Sequence, residues 1–242
     1  VPEVYHRVRG GTGQFLAELR PTATLFLSFT GLDYDQDNQA GEKLDAYVRW
    51  VQVEIERYEG ALLAVIVGDK GSYLLAAFGA PVAHHDDEVR AVSAALALQS
   101  TPPEFEFITG IQIGVTQGQM RAGAYGSTTR RTYGLQGDKV NLAARLMQAA
   151  TDCVLCDEAI YQAAHARLVF DPLPAIHVKG KVEPVAVYRP TGEKRHLTRS
   201  KARLVGRTAE RVLLRERLQR VLQGTSSIVI VQGEAGIGKS RL

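Results

Sequence analysis

The stretch TYGLQGDKVNLAARLM, residues 132–147, decides the reading of this chain. Its small and apolar residues recur at helical spacing from Asp138 onward. The spacing predicts a helix starting near Asp138. Val140, Ala143, Ala144 and Met147 supply its packed side. Asn141 and Arg145, four residues apart, project together from one face. An Asn–Arg pair in such a setting suits an anion, with the Arg stabilising charge on a transferring phosphoryl group. By periodicity alone the same pair reads as solvated. The residues just upstream, Gly126–Gly137, read as an exposed segment.

Outward from this helix the chain alternates strand and helix patterns. Thr22–Phe29 is an apolar, β-rich run, and Gly41–Tyr58 repeats Leu44, Tyr47, Val48, Val51 and Ile55 at helical spacing. Ala61–Val67 and Tyr73–Phe78 flank Gly68-Asp69-Lys70-Gly71, which predicts two antiparallel strands joined by a tight turn. Asp86–Gln99 is a second helix, with Asp86 and Asp87 placed to cap it. Phe107–Thr116 and Gln119–Ala124 read as a strand pair around Gly118. A short strand at Cys153–Cys156 precedes a short helix at Asp157–Ala164, and Ile176–Val178 and Val185–Tyr188 close the set. Hairpins rather than strict βαβ units indicate an α+β sheet with helices on one face. Pro190–Arg203 reads as a boundary, followed by an amphipathic helix at Ala209–Leu222 and an apolar strand at Ser227–Val231.

With 242 residues, 45% of them hydrophobic, the chain has room for one medium domain and part of another. No run approaches the ~18 apolar residues of a membrane span, so no integral membrane segment is expected. Val1 follows no Met and opens no secretory signal, and with the stop at Leu242 the sequence reads as an excerpt of a longer protein. The net charge of +3 is uneven: residues 189–220 hold eleven Lys and Arg against Glu193, Glu210 and Glu216. That charge falls in a Pro/Gly-containing connector and a helix without interleaved aromatics, so a solvated linker is expected and no nucleic-acid partner. Cys153 and Cys156 form a single C-x-x-C; without a second pair they read as two buried thiols in a reducing, cytoplasmic setting.

Near the C-terminus, Gly233-Glu-Ala-Gly-Ile-Gly238-Lys239-Ser240 matches G-x-x-x-x-G-K-S directly after an apolar run. Glycines let backbone amides curl around a β-phosphate, Lys239 offers a point charge to the β/γ oxygens, and Ser240 suits Mg²⁺. A phosphate-binding P-loop is expected at Gly233, Gly238, Lys239 and Ser240. No Walker-B Asp and no following helix accompany it, so hydrolysis of ATP by these residues alone is not expected.

The central stretch resembles Y-x-V-x-G-x-x-V-N-L-A-A-R-L of the class III nucleotidyl cyclases, and further landmarks follow in order. Phe78-Gly79-Ala80-Pro81, His84-His85-Asp86-Asp87 and Arg90-Ala91-Val92 resemble F-G-A-P, H-x-D-D and R-A-V. Ile113-Gly114-Val115 with Gly118 resembles I-G-V-x-x-G, and Val178-Lys179-Gly180-Lys181 with Pro184-Val185 resembles K-G-K-x-x-P-V. The resemblance implies a ferredoxin-like cyclase fold, with a mixed, mainly antiparallel sheet, over residues 22–190. It is preceded by a connector at 1–21 and followed by a basic linker at 191–203. The family's reaction joins the ribose 3′-oxygen to the α-phosphate of a nucleoside triphosphate and releases pyrophosphate, with two Mg²⁺ or Mn²⁺ ions held by two Asp residues. Its sites form between two domains, one giving the metal carboxylates and the other a ribose-orienting Asn and a transition-state Arg. By resemblance these last two are Asn141 and Arg145.

Departures from the family pattern shape the expectation. The first metal Asp belongs in F-x-D-I-x-G-F-T, where this chain has Phe26-Leu27-Ser28-Phe29-Thr30-Gly31-Leu32, and neutral Ser28 cannot replace a carboxylate. Asp33, Asp35 and Asp37 read as a solvated loop. The second metal position falls on Asp69, read as a turn residue rather than a ligand. The purine-selecting positions fall on Ala64 or Val65 and on Gly134, which leaves base choice unsupported. His84 to Asp87 read as a helix start, not a metal site. The pattern is similar to the second, non-metal half of soluble adenylyl cyclases. Leu204-Val205-Gly206-Arg207 with Glu210 and Leu213 resembles the opening of AAA and NACHT signalling ATPases, making 204–242 the start of an α/β P-loop domain. The resemblance therefore implies ATP as substrate, a dimer-like site shared with a metal-bearing half, and a downstream ATPase; the rival reading is an inactive cyclase-fold module that regulates that ATPase.

Overall fold

In the computed structural model, which describes residue 4 and residues 18–68, 71–127, 131–194, 207–224, 226, 228–230 and 232, the first apolar run forms β1, Glu18–Thr30. The chain divides into two compact units, residues 1–194 and 195–242. After β1 the first unit continues with α1 (Ala40–Arg57), β2 (Ala61–Gly68), β3 (Gly71–Phe78), α2 (Asp87–Gln99), β4 (Gly110–Gly126) and β5 (Arg131–Gln136). It closes with α3 (Asp138–Ala149), β6 (Val154–Asp157), α4 (Glu158–Ala164), β7 (Leu168–Ile176) and β8 (Val185–Glu193).

The strands lie in the order β2-β3-β1-β4-β6-β8-β7, with β5 paired to the far end of β4. The units β1-α1-β2 and β3-α2-β4 interleave, each placing a strand of the other between its own two, which is the split βαβ arrangement of ferredoxin-like sheets. Only the β4–β6 pair is parallel among the described strands, so the sheet is mixed and mainly antiparallel.

Strand alternation builds two packed faces. Leu25, Leu27 and Phe29 join Leu74, Phe78, Ile113 and Val115 beneath Tyr47, Val51 and Ile55 of α1 and Val92 and Leu98 of α2. Phe26 points the other way and packs with Ala143 and Met147 of α3. Helices therefore cover both faces, not the single face expected from the sequence. The close fit of α3 rests on Gly114, where a Cβ would stand 2.2 Å from the Ala143 carbonyl oxygen.

Three further expectations are corrected. Gly118 turns nothing: β4 runs through it, in unbroken antiparallel register with β1 from Thr30↔Gly110 to Glu18↔Ala122. A bare α-carbon is needed at this position because the Lys139 stem lies across it, and a Cβ would come within 2.8 Å of Lys139 Cγ. The segment read as exposed contains β5, which pairs Gly134 with Gly123 and buries Leu135. The strand expected at Ile176–Val178 lies earlier, as β7, Leu168–Ile176, meeting β8 at Ile176↔Val185; Pro172 and Pro174 argue against a strand there, and the sheet tolerates them because β7 is its edge.

The short strand and helix after residue 153 form as β6 and α4, with Cys156 buried and Cys153 only half-buried rather than both thiols enclosed. In the second unit, α5 spans Thr208–Leu222 as expected. Ile228, Val229 and Ile230 are not in a strand, because strand structure requires a hydrogen-bonded neighbour and none pairs with them among the described residues. The P-loop residues Gly233, Gly238, Lys239 and Ser240 lie outside the described residues, as does Asp69.

Candidate active site

The helix α3 leaves β5 through Gly137 and lies across the sheet with Leu142 and Leu146 toward β8, and Ala143 and Met147 over Phe26. That burial fixes which residues face out: Asn141 is exposed and Arg145, one turn on, is half-buried. The structure thus puts both on one side of α3, as their spacing requires. The Arg145 guanidinium lies against the Gly180 turn, where a Cβ would come within 3.0 Å of Nη1; Gly180 has φ +80°, a conformation that suits glycine.

Two lysine–carboxylate pairs hold the first turn of α3. Lys181 Nζ stands 2.6 Å from an Asp138 carboxylate oxygen, and this bond holds the Asp138 carboxyl below its ordinary value. Lys139 Nζ reaches Asp157, also at 2.6 Å, while Thr116 Oγ1 donates to the Lys139 carbonyl at 2.7 Å. Asp157 is buried, and that burial pushes its carboxyl up against the opposing pull of Lys139. Sequence reasoning missed Asp138, Lys139 and Asp157 as neighbours of the site. The acidic first turn of the helix and the Lys-Gly-Lys run were the only signals.

Ser28 lies on β1 facing the α3 side, between Tyr73 of β3 and Gln112 of β4. Its hydroxyl donates to the Ser72 carbonyl at 3.3 Å, and Tyr34 Oη meets Ser72 Oγ at 2.9 Å. Nearby acids serve the loop. Asp33 accepts the amides of Asp35 and Gln36, and Asp37 accepts the Gln39 amide and pairs with Lys43 at 2.6 Å, which lowers its carboxyl pKa. Among the described residues no group of three or more His, Cys, Asp or Glu side chains is placed to hold a metal ion. Among the described residues, the donor set around Ser28 does not fit a divalent ion.

At the position carried over for base selection, Gly134 is covered by the Tyr125 ring, 2.8 Å from where a Cβ would stand. Ala64 and Val65 lie on the edge strand β2. The acids at the start of α2 do not cap it as expected. Asp86 spends its oxygens on Arg90 and Arg167, each at 2.7 Å, and Asp87 accepts the His84 amide. His84 Nε2 faces Glu59 at 3.0 Å, so this network braces α1, α2 and the loop after α4.

The family described as the adenylate and guanylate cyclase catalytic domain matches residues 64–189. Adenylate cyclase type 10 of Rattus norvegicus is 27% identical over 246 residues, spanning 94% of this chain and 15% of that protein. The Homo sapiens protein of the same name is 28% identical over 242 residues, again with 94% and 15% covered. Among solved structures, the adenylyl cyclase CyaB from P. aeruginosa superposes with a TM-score of 0.65 at 22% identity, covering 75% of this chain and 98% of that one. The guanylate cyclase domain of RhGC from Catenaria anguillulae, in complex with GTP, gives 0.65 at 24% identity, covering 74% and 100%. No helix among the described residues is long and apolar enough to cross a membrane. The interleaved sheet, the match from β2 into β8 and the alignment of nearly the whole chain converge: this chain belongs to the adenylate and guanylate cyclase catalytic domain family.

Proposed function

We propose that this chain is the non-metal half of a composite adenylyl cyclase. Asn141 orients the ribose of ATP, and Arg145 stabilises charge on the α-phosphate as the 3′-oxygen bonds to it. The bond from the α-phosphorus to the leaving phosphate oxygen breaks, pyrophosphate departs, and the hydroxyl proton is released, leaving 3′,5′-cyclic AMP. Cyclase domains use divalent metals generally; here the carboxylates for Mg²⁺ or Mn²⁺ come from a partner half. One observation carries this reading: Asn141 and Arg145 are presented together on α3, while Ser28, which by motif resemblance falls at the family's first metal position, is a neutral hydroxyl already bonded to Ser72. A planar guanidinium backed by the Gly180 turn is pre-organised for a phosphoryl oxygen, which favours the transition state over the ground state. Gly233, Gly238, Lys239 and Ser240 are proposed as a separate triphosphate site belonging to an ATPase.

The test is production of cyclic AMP. Purified 1–242 with Mn²⁺ or Mg²⁺ should make none, and assembly with a metal-bearing cyclase half should restore it. In that assembly Arg145→Ala should lower kcat by orders of magnitude with KM less affected. Cyclic AMP from the isolated chain would defeat the half-site assignment.

The Tyr125 ring over Gly134 supports a second reading, a catalytically inactive cyclase fold that serves as a sensor or dimerisation module for the ATPase. An assembly that binds no ATP analogue by calorimetry, yet alters ATP hydrolysis by the longer protein, would favour it.

A further inference from the structure

Two contacts seat α3 on the sheet: the Ala143 backbone lies directly over the bare Gly114, and Ala143 and Met147 pack against Phe26. Each residue of helix rises about 1.5 Å, and misplacing a substrate-positioning group by about 1 Å can cost about a hundredfold in rate. Something must therefore fix α3 along its own axis. Among the described ties of α3 to its surroundings, which include Asp138 to Lys181 and Gln112 to the Ala150 carbonyl, Lys139 is the residue that joins the helix to both β4 and β6. Its carbonyl accepts Thr116 from β4, its stem crosses Gly118, and its ammonium ends on Asp157. Asp157 is itself immobilised: 2% exposed, it also accepts the amides of Ile160 in α4 and Gln117 in β4. With Asp157 buried and Lys139 half-buried, this ion pair is a weak source of net stability, since apolar replacement of such pairs is often neutral, but it is a strict geometric constraint.

We propose that Asp157 is a positioning residue for Asn141, acting through Lys139 to fix the axial register of α3 on the sheet. The proposal rests on the reading of Asn141 given above, and it deepens that reading by naming what aims the side chain. Asn141 lies two residues beyond the anchor, so a change in register moves it directly.

The informative variant is the double replacement Lys139→Met with Asp157→Ser. It leaves no orphaned charge and retains a hydroxyl able to cap α4. In this chain assembled with a metal-bearing half, kcat should fall about a hundredfold while KM stays within about threefold. In 1–242 alone, the melting temperature should stay within a few degrees of the parent, and the Asn141 side-chain amide resonance should shift. Unchanged kcat with an unmoved resonance would overturn the proposal. So would parallel loss of melting temperature and activity, which would make the pair a matter of stability alone. Arg145→Ala in the same assay separates the two levels: full turnover there would sink the reading of the site, while the Asn141 resonance would still judge the anchor.

Discussion

Arg145 and Gly180 are in contact across the groove between α3 and the turn before β8, with the guanidinium lying where a side chain at 180 would otherwise stand. Gly180→Ala should therefore act twice. The positive φ should cost about 1 kcal/mol of stability. The added methyl should also push the guanidinium off its backing, lowering kcat of the assembled cyclase about tenfold or more with a smaller change in KM. Paired melting and kinetic measurements check it; an unchanged kcat would show that the turn does not orient Arg145.

Tyr47 is fully buried between Phe29, Trp50 and Phe105, and its hydroxyl has no hydrogen-bond partner among the described residues. Burial drives its pKa upward. An unsatisfied buried hydroxyl costs about 1–3 kcal/mol, so Tyr47→Phe should leave stability unchanged or raise it by about 1 kcal/mol. Urea unfolding measures this, and a clear loss would reveal a partner for the hydroxyl.

Asp86 predicts the acid limb of stability. Its hydrogen bonds to Arg90 and then Arg167 hold its carboxyl at about 2, below the unfolded value near 3.8. A depressed folded value means that the contribution is present above about pH 4 and fades as pH falls toward 2. Asp86→Asn should cost on the order of 1–2 kcal/mol at neutral pH and flatten the decline between pH 4 and 2. Unfolding curves across that range, with parent and variant side by side, decide it; parallel declines would remove Asp86 from the account.

The parts of the fold legible in the sequence are those whose cause is local. The 3.6-residue rhythm of Leu44, Tyr47, Val51 and Ile55 belongs to α1 itself, and the glycines at 68 and 71 mark the β2–β3 turn without help from elsewhere. Gly118 was misread because its reason lies in Lys139, twenty-one positions away in another element. The strand β5 lacks clear alternation and exists only through its pairing with β4. The site divides the same way. Four-residue spacing sufficed to put Asn141 and Arg145 on one face, whereas Lys139 with Asp157 and Asp138 with Lys181 become pairs only once β6 and the 177–184 turn are folded against α3.

The alternation along β1 carries a wider consequence. Leu25, Leu27 and Phe29 are committed to the core, whereas Phe26 and Ser28 answer only to the α3 side. One strand thus obeys two independent sets of requirements, and a carboxylate can give way to a hydroxyl at position 28 without the core registering the exchange. Architecture and chemistry are decoupled at single-residue resolution, so on the half-site reading proposed above the domain would surrender half of a reaction and keep the whole of its shape.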